Sequence, residues 1–138
     1  MTINLVTARS KKISIYSDFK KDLSISPLSD DLALIKDEDA VKESLRNLIL
    51  TDRGERLMQP NLGGNVRAML FENMTPASLK FLEETVRSTI EIYEPRATLR
   101  DVIVTGNLDD NVVKVTVKFF ITNQEQPLEL SVFLERTR

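Results

Sequence analysis

Two periodicities divide this chain. Between residues 37 and 94 apolar side chains recur every three or four positions, and beyond residue 97 they recur every second one. The first spacing belongs to helices packed on one face, the second to strands. Val41, Leu45, Leu48 and Ile49 share one face of a helix that Asp37 or Asp39 can cap. Gly54 fits the position just past its end, after Thr51-Asp52-Arg53. Asn65 can cap a short helix that turns Val66, Met69 and Leu70 inward. Thr75-Pro76 is a stronger start: threonine supplies a capping oxygen, and proline at the first helical position gives up no needed N–H. Met74 and Leu79 stand where a hydrophobic staple closes. Leu79, Leu82, Val86, Ile90 and Tyr93 then form a stripe that Pro95 stops.

Past that proline, Leu99, Ile103 and Thr105 alternate imperfectly with Arg100, Val102 and Val104, and residues 106–111 have turn chemistry. Val113, Val115, Val117, Phe119 and Ile121 alternate cleanly with polar neighbours, as do Leu128, Leu130, Val132 and Leu134 after a polar turn. The pattern predicts an α+β fold in which a three-stranded antiparallel C-terminal meander packs against two or three helices. Leu48, Ile49, Leu70, Val86, Ile90, Val115, Val117, Leu130 and Val132 are its expected core. The last strand runs close to the C-terminus and leaves a sheet edge open to strand addition, unless Glu135, Arg136 and Arg138 blunt it. Residues 1–36 read as an extended arm ahead of a single domain over 37–138. In the arm, Ile13 and Ile15 suit either a donated strand or one that covers the chain's own edge.

Composition narrows the chemistry. The 138 residues suffice for one domain, and a net charge of −2 gives no basic field for nucleic acid or an anionic membrane. No apolar run reaches the length of a membrane span, and the first ten residues lack a signal-peptide core. Absence of cysteine and histidine removes thiolate nucleophiles, the usual zinc sites and the commonest general base. A chain kept in a reducing cytoplasm is expected. The phage-type muramidase pattern sets a glutamate, an aspartate nine residues on and a threonine six after that. Only Glu43 and Asp52 match its first spacing, and Met58 stands at the third position. Gly63-Gly64 has no following Lys-Ser/Thr and reads as a tight turn, not a phosphate loop. Glu83-Glu84 and Asp109-Asp110 lack metal-ligand companions. No catalytic residue, metal ligand or cofactor is assigned.

Longer motifs carry more. Thr51 with Gly54-Glu55-Arg56, Pro60 with Gly63, Leu70-Phe71-Glu72 and Glu94-Pro95-Arg96 follow one another in order. Over about residues 40–135 this combination resembles the baseplate wedge family of contractile-tail phages. Residues 71–76, reading FENMTP, look especially like the T-even-type branch. That family carries an old lysozyme-like label and includes a counterpart in type VI secretion baseplates. The resemblance implies a structural protein of the virion, assembled in the host cytoplasm and present in six copies per baseplate. Such a protein is a monomer in isolation, without nucleic-acid or membrane partners. It docks through its Glu-Pro-Arg region onto a helical bundle of larger wedge proteins. Its fold is similar to the inner domain of the tail sheath protein, so that it templates the contractile sheath. A peptidoglycan hydrolase and a type VI secretion subunit are the alternatives.

The resemblance makes Glu94, Pro95 and Arg96 the partner-binding turn, with Arg56 a second contact and Gly54, Pro60 and Gly63 shaping the loop between. The residues themselves leave two readings of that turn. Glu91 and Glu94 fall in the last turn of a helix, where the macrodipole disfavours each by about 0.3–1 kcal/mol. Arg96 can compensate by pairing with Glu94 internally, the commoner arrangement. Alternatively Pro95 directs it outward as a rigid fork toward a partner carboxylate or helix C-terminus, which the resemblance favours. On the outward reading, Arg96→Ala leaves the fold intact.

Overall fold

The computed structural model describes residues 14–107, 112–122 and 124–135. Its elements run β1 (Ser17–Phe19), β2 (Leu34–Lys36), α1 (Glu38–Leu50), α2 (Val66–Met69), α3 (Pro76–Tyr93), β3 (Ala97–Asn107), β4 (Val112–Ile121) and β5 (Leu128–Glu135). The fold is α+β, with the antiparallel sheet β3-β4-β5 packed against α3.

Helix α1 buries Ala40, Val41, Leu45, Leu48 and Ile49. It does not end on a glycine. Thr51 turns extended, and its backbone N–H and its hydroxyl both donate to the Asn47 carbonyl, at 3.0 and 2.7 Å. With that carbonyl satisfied the helix needs no left-handed cap, and Gly54 (φ +86°) belongs to the following loop instead. Asn65 precedes α2 in a left-handed conformation without a side-chain cap. Thr75 and Ser78 form the capping box of α3, each side chain bonding the other's backbone N–H at 3.1 and 2.9 Å. Leu82, Val86 and Ile90 of α3 are buried, and Pro95 follows one residue past the cap Glu94.

The sheet explains the faulty alternation in β3. Leu99 pairs with Phe119 and Asp101 with Lys118, so Arg100 is an extra residue, a β-bulge. Parity flips there. Before the bulge Ala97 is buried, whereas beyond it Val102 is buried and Ile103 is exposed. Ile103 and Thr105 therefore do not share the face of Leu99. Gly106 is a strand residue opposite Val113, not a turn residue. A Cβ there would lie 3.1 Å from Met74 Sδ and 3.2 Å from Leu79 Cδ2, so the staple packs onto the bare backbone of β3. Asp109 and Asp110 lie outside the described residues.

All nine expected core residues are buried. Leu45, Ile49, Ile90, Phe119 and Ile121 lead a single cluster between α1, α3 and the inner sheet face. At about 1.5–3 kcal/mol for each large side chain, this burial is what holds helices to sheet.

The described part of the arm pairs with itself. Strands β1 and β2 are antiparallel, with Ser17 opposite Lys36 and Phe19 opposite Leu34, and an isolated bridge joins Ile25 to Leu32. Among the described residues pairing starts at Ser17, after Ile15, and Ile13 lies outside the described residues. The hairpin is tied to the start of α1 through Asp37. Its carboxylate accepts the Ile15 and Tyr16 N–H groups at 2.9 and 3.3 Å, and its own N–H donates to the Tyr16 carbonyl at 2.8 Å.

Candidate functional site

Glu94 caps the C-terminus of α3, its N–H bonded to the Ile90 carbonyl at 2.9 Å. The residue is only 3% exposed. Burial and the helix dipole both disfavour a charge there. Three donors answer. Arg96 reaches back across Pro95 with Nε on Oε1 at 2.6 Å and Nη2 on Oε2 at 2.7 Å. The Ser44 hydroxyl of α1 donates to Oε2 at 2.5 Å. Burial alone would push the Glu94 carboxyl up, but Arg96 and Ser44 outweigh it and hold the group below the ordinary carboxylate range. The same bond from Glu94 raises the Arg96 guanidinium further above its usual value.

Arg96 is also fixed from two other sides. Its guanidinium carbon lies 5.6 Å from the centroid of the Tyr16 ring. Its carbonyl accepts the Thr122 N–H at 3.0 Å, which pins the turn to the end of β4. The internal pair is thus formed. Glu94 is turned into the protein, while Pro95 and the outer part of Arg96 remain accessible.

The loop of residues 52–62 lies beside this turn. Its ends are cinched, since Gly64 N–H donates to the Thr51 carbonyl at 3.2 Å. A Cβ on Gly63 (φ +127°) would sit 2.2 Å from that same carbonyl oxygen. Gly54 N–H donates to the Pro60 carbonyl at 2.8 Å, and the Glu55 carboxylate accepts the Asp52 N–H at 3.0 Å. Arg56 extends from the loop to the rim of an open cleft of about 220 Å³ that Glu94, Ser44, Asp18 and Asn47 also line. The fold therefore brings Arg56 and Glu94 to one place. Ser44, Tyr16, Asp18 and Thr122 were not legible as members of the site. Ser44 alone had a signal, lying three residues after Val41 on the inward side of α1.

Glu43 lies within α1 and Asp52 beyond its end. Seven helical steps separate Glu43 from Leu50, about 10 Å of axis before the chain even continues to Asp52. Glycosidase carboxyls sit roughly 5–9.5 Å apart across a cleft. Asp52 instead faces Arg67 at 3.9 Å. Among the described residues no cluster of three acidic side chains is placed to hold a metal, and no helix is long and apolar enough to cross a membrane.

The model of the family described as baseplate wedge protein gp25 matches residues 36–126. This chain belongs to that family. It is 32% identical over 90 residues to the baseplate wedge protein gp25 of Enterobacteria phage T4, covering 65% of this chain and 68% of that relative. Solved structures agree in fold. The baseplate of the anti-feeding prophage contains a chain that matches with a TM-score of 0.60 at 25% identity, covering 86% of this chain and 83% of that one. A protein of Geobacter sulfurreducens, provisionally named a tail lysozyme, matches with a TM-score of 0.64 at 22% identity, covering 73% and 92%. A chain of the type VI secretion baseplate complex matches with a TM-score of 0.54 at 15% identity, covering 70% and 92%. The last two likenesses concern the fold alone. The gp25 match begins at residue 36, so the β1/β2 hairpin lies almost wholly outside it.

Proposed function

We propose that this chain is a non-enzymatic structural subunit of a contractile-tail baseplate wedge, assembled in the host cytoplasm and present in six copies per virion baseplate. It docks through Pro95, the accessible part of Arg96 and Arg56 onto a helical bundle of larger wedge proteins. It then offers its sheet as the template on which tail sheath protein polymerises. The observation that carries this reading is the gp25-family match over residues 36–126.

The sheet geometry suits the second role. β5 stands at the edge of β3-β4-β5 and pairs, among the described residues, with β4 alone. Its free backbone groups can receive a donated strand. Phe133 points outward from this edge strand, 65% exposed, with Lys114 Nζ 5.3 Å from its ring centroid.

Quantitative mass spectrometry of purified, lysate-free tails tests the proposal by counting this chain against the sheath protein. A fixed count near six, a small fraction of the sheath count, is the expected result. A chain free in the lysate and absent from tails would sink it. Turbidity clearing of peptidoglycan that is lost in Glu43→Gln would put a hydrolase in its place.

A further inference from the structure

Two large apolar side chains stand almost entirely in solvent at the tip of the 52–62 loop: Leu57 at 96% and Met58 at 95% exposure. They occupy the middle of a tight turn, closed by Gln59 N–H on the Arg56 carbonyl at 3.1 Å. Glycine, proline, asparagine and aspartate normally fill such positions. Nothing in the turn's own bonding calls for Leu or Met there, and their exposure contributes nothing to this chain's core. The tip is also held firmly. Gln59 accepts from Leu62 N–H at 3.1 Å, Gly54 bonds Pro60, and the loop's ends meet at Thr51 and Gly64. A tip already ordered loses little conformational freedom on binding.

Charge says what it meets. Arg53 and Arg56 precede the apolar pair in the same loop, both exposed, and among the described residues no carboxylate pairs with either side chain. The loop's acids are engaged elsewhere, Asp52 toward Arg67 and Glu55 on the Asp52 N–H. An exposed apolar pair beside guanidinium groups that no described carboxylate pairs is the composition of an interface anchor.

We propose that Arg56, Leu57 and Met58 form a second docking element. Leu57 and Met58 insert into an apolar pocket on a neighbouring baseplate chain, and carboxylates at its rim receive Arg56 and Arg53. This inference rests on the baseplate reading above and deepens it. Arg56 already borders the cleft that Glu94 lines, which puts one residue of the tip beside the Glu-Pro-Arg turn.

The test supplies full-length chain in trans to a phage unable to make it, purifies tails and counts the chain against sheath protein. Wild type is expected in tails at a fixed ratio. The double variant Leu57→Ser/Met58→Ser is expected at least about tenfold below it, as removal of a central anchor requires. Arg56→Glu should be similarly depleted and Arg56→Lys partly restored, because a carboxylate rim reads charge. The melting temperature of the double variant should match wild type, since both side chains lie outside the core. Wild-type levels of the double variant in tails would overturn the inference while leaving the wedge reading standing. Absence of wild type from tails would overturn the wedge reading and the inference with it. Binding to phosphatidylglycerol vesicles that is lost in the double variant, with tail levels unchanged, would make the tip a membrane element and overturn the inference.

Discussion

Arg96 holds Glu94 with two parallel bonds, Nε to Oε1 at 2.6 Å and Nη2 to Oε2 at 2.7 Å, across the single residue Pro95. Proline's fixed φ keeps the two side chains on the same side of the turn. The arrangement neutralises a carboxylate that the α3 dipole and burial both disfavour. It also fixes Arg96 against the Tyr16 ring, with 31% of its side chain still exposed. The proposed anchor is therefore also a structural clamp.

That dual role changes what Arg96→Ala does. It leaves Glu94, a residue 3% exposed, with Ser44 as its remaining donor. Breaking a fully buried pair costs about 3–5 kcal/mol. Arg96 is 31% exposed, so water can reach part of the gap and a loss of about 2–3 kcal/mol is expected. The fold is weakened, contrary to the outward reading of the sequence. Arg96→Lys, with charge but no fork, should fall between. Urea unfolding midpoints measure both, and an Arg96→Ala midpoint equal to wild type would show an ordinary surface pair.

The same pair gives an acid limb. In the unfolded chain Glu94 titrates near 4.5, and in the folded protein it titrates lower. Between those values the unfolded state binds more protons, so stability rises with pH. The contribution is fully present above about pH 4.5 and is lost as pH falls through the folded value. Wild-type midpoints should drop more steeply than those of Glu94→Gln from about pH 5 downward. Parallel curves would show that other carboxylates govern the limb.

Gly63 and Gly54 both have positive φ, yet their alanine variants should differ. At Gly54 a Cβ meets nothing within 4 Å, so the cost is the backbone preference alone, about 1–2 kcal/mol. At Gly63 the Cβ would lie 2.2 Å from the Thr51 carbonyl oxygen, which itself holds Gly64 N–H. The end of α1 or the loop must move, at about 3 kcal/mol or more. Thermal melts of the two variants, compared side by side, check the order. Equal losses would mean that the loop closes without help from Gly63.

Helices α1 and α3 were legible because their stripes repeat over two turns or more, and a repeated pattern survives one ambiguous position. Thr75-Pro76 was legible for a different reason, since capping chemistry is local. The β3 bulge was not. One extra residue at Arg100 reads in sequence as poor alternation, and only the partners Phe119 and Lys118 reveal it. Gly54 misled because a glycine after a helix normally marks its end, whereas here Thr51 satisfies the Asn47 carbonyl first. At the site, Glu94, Pro95 and Arg96 are contiguous and could be found together. Ser44 lies 50 residues from Glu94, and no local period connects them.

The hairpin should be releasable without unfolding the domain. Asp37 stands at φ +47° before α1, and its carboxylate makes no bond to the helix it precedes. It accepts Ile15 and Tyr16 N–H groups through one oxygen, Oδ1. Asp37→Ala removes at least these two bonds while the backbone stays at its positive φ. Two lost bonds to a charged acceptor amount to about 2 kcal/mol of local stability, which is roughly thirtyfold in the opening equilibrium. Trypsin should then cut at Lys20 and Lys21, both exposed, faster by about that factor. Asp37→Asn keeps a carbonyl acceptor and tolerates the same backbone, so it should be cut at nearly the wild-type rate. The melt of residues 38–135 should change little in either variant. Uniform acceleration of cleavage throughout the chain would instead mean that Asp37 stabilises the whole domain, and equal rates for all three proteins would mean that the Asp37 carboxylate does not hold the hairpin.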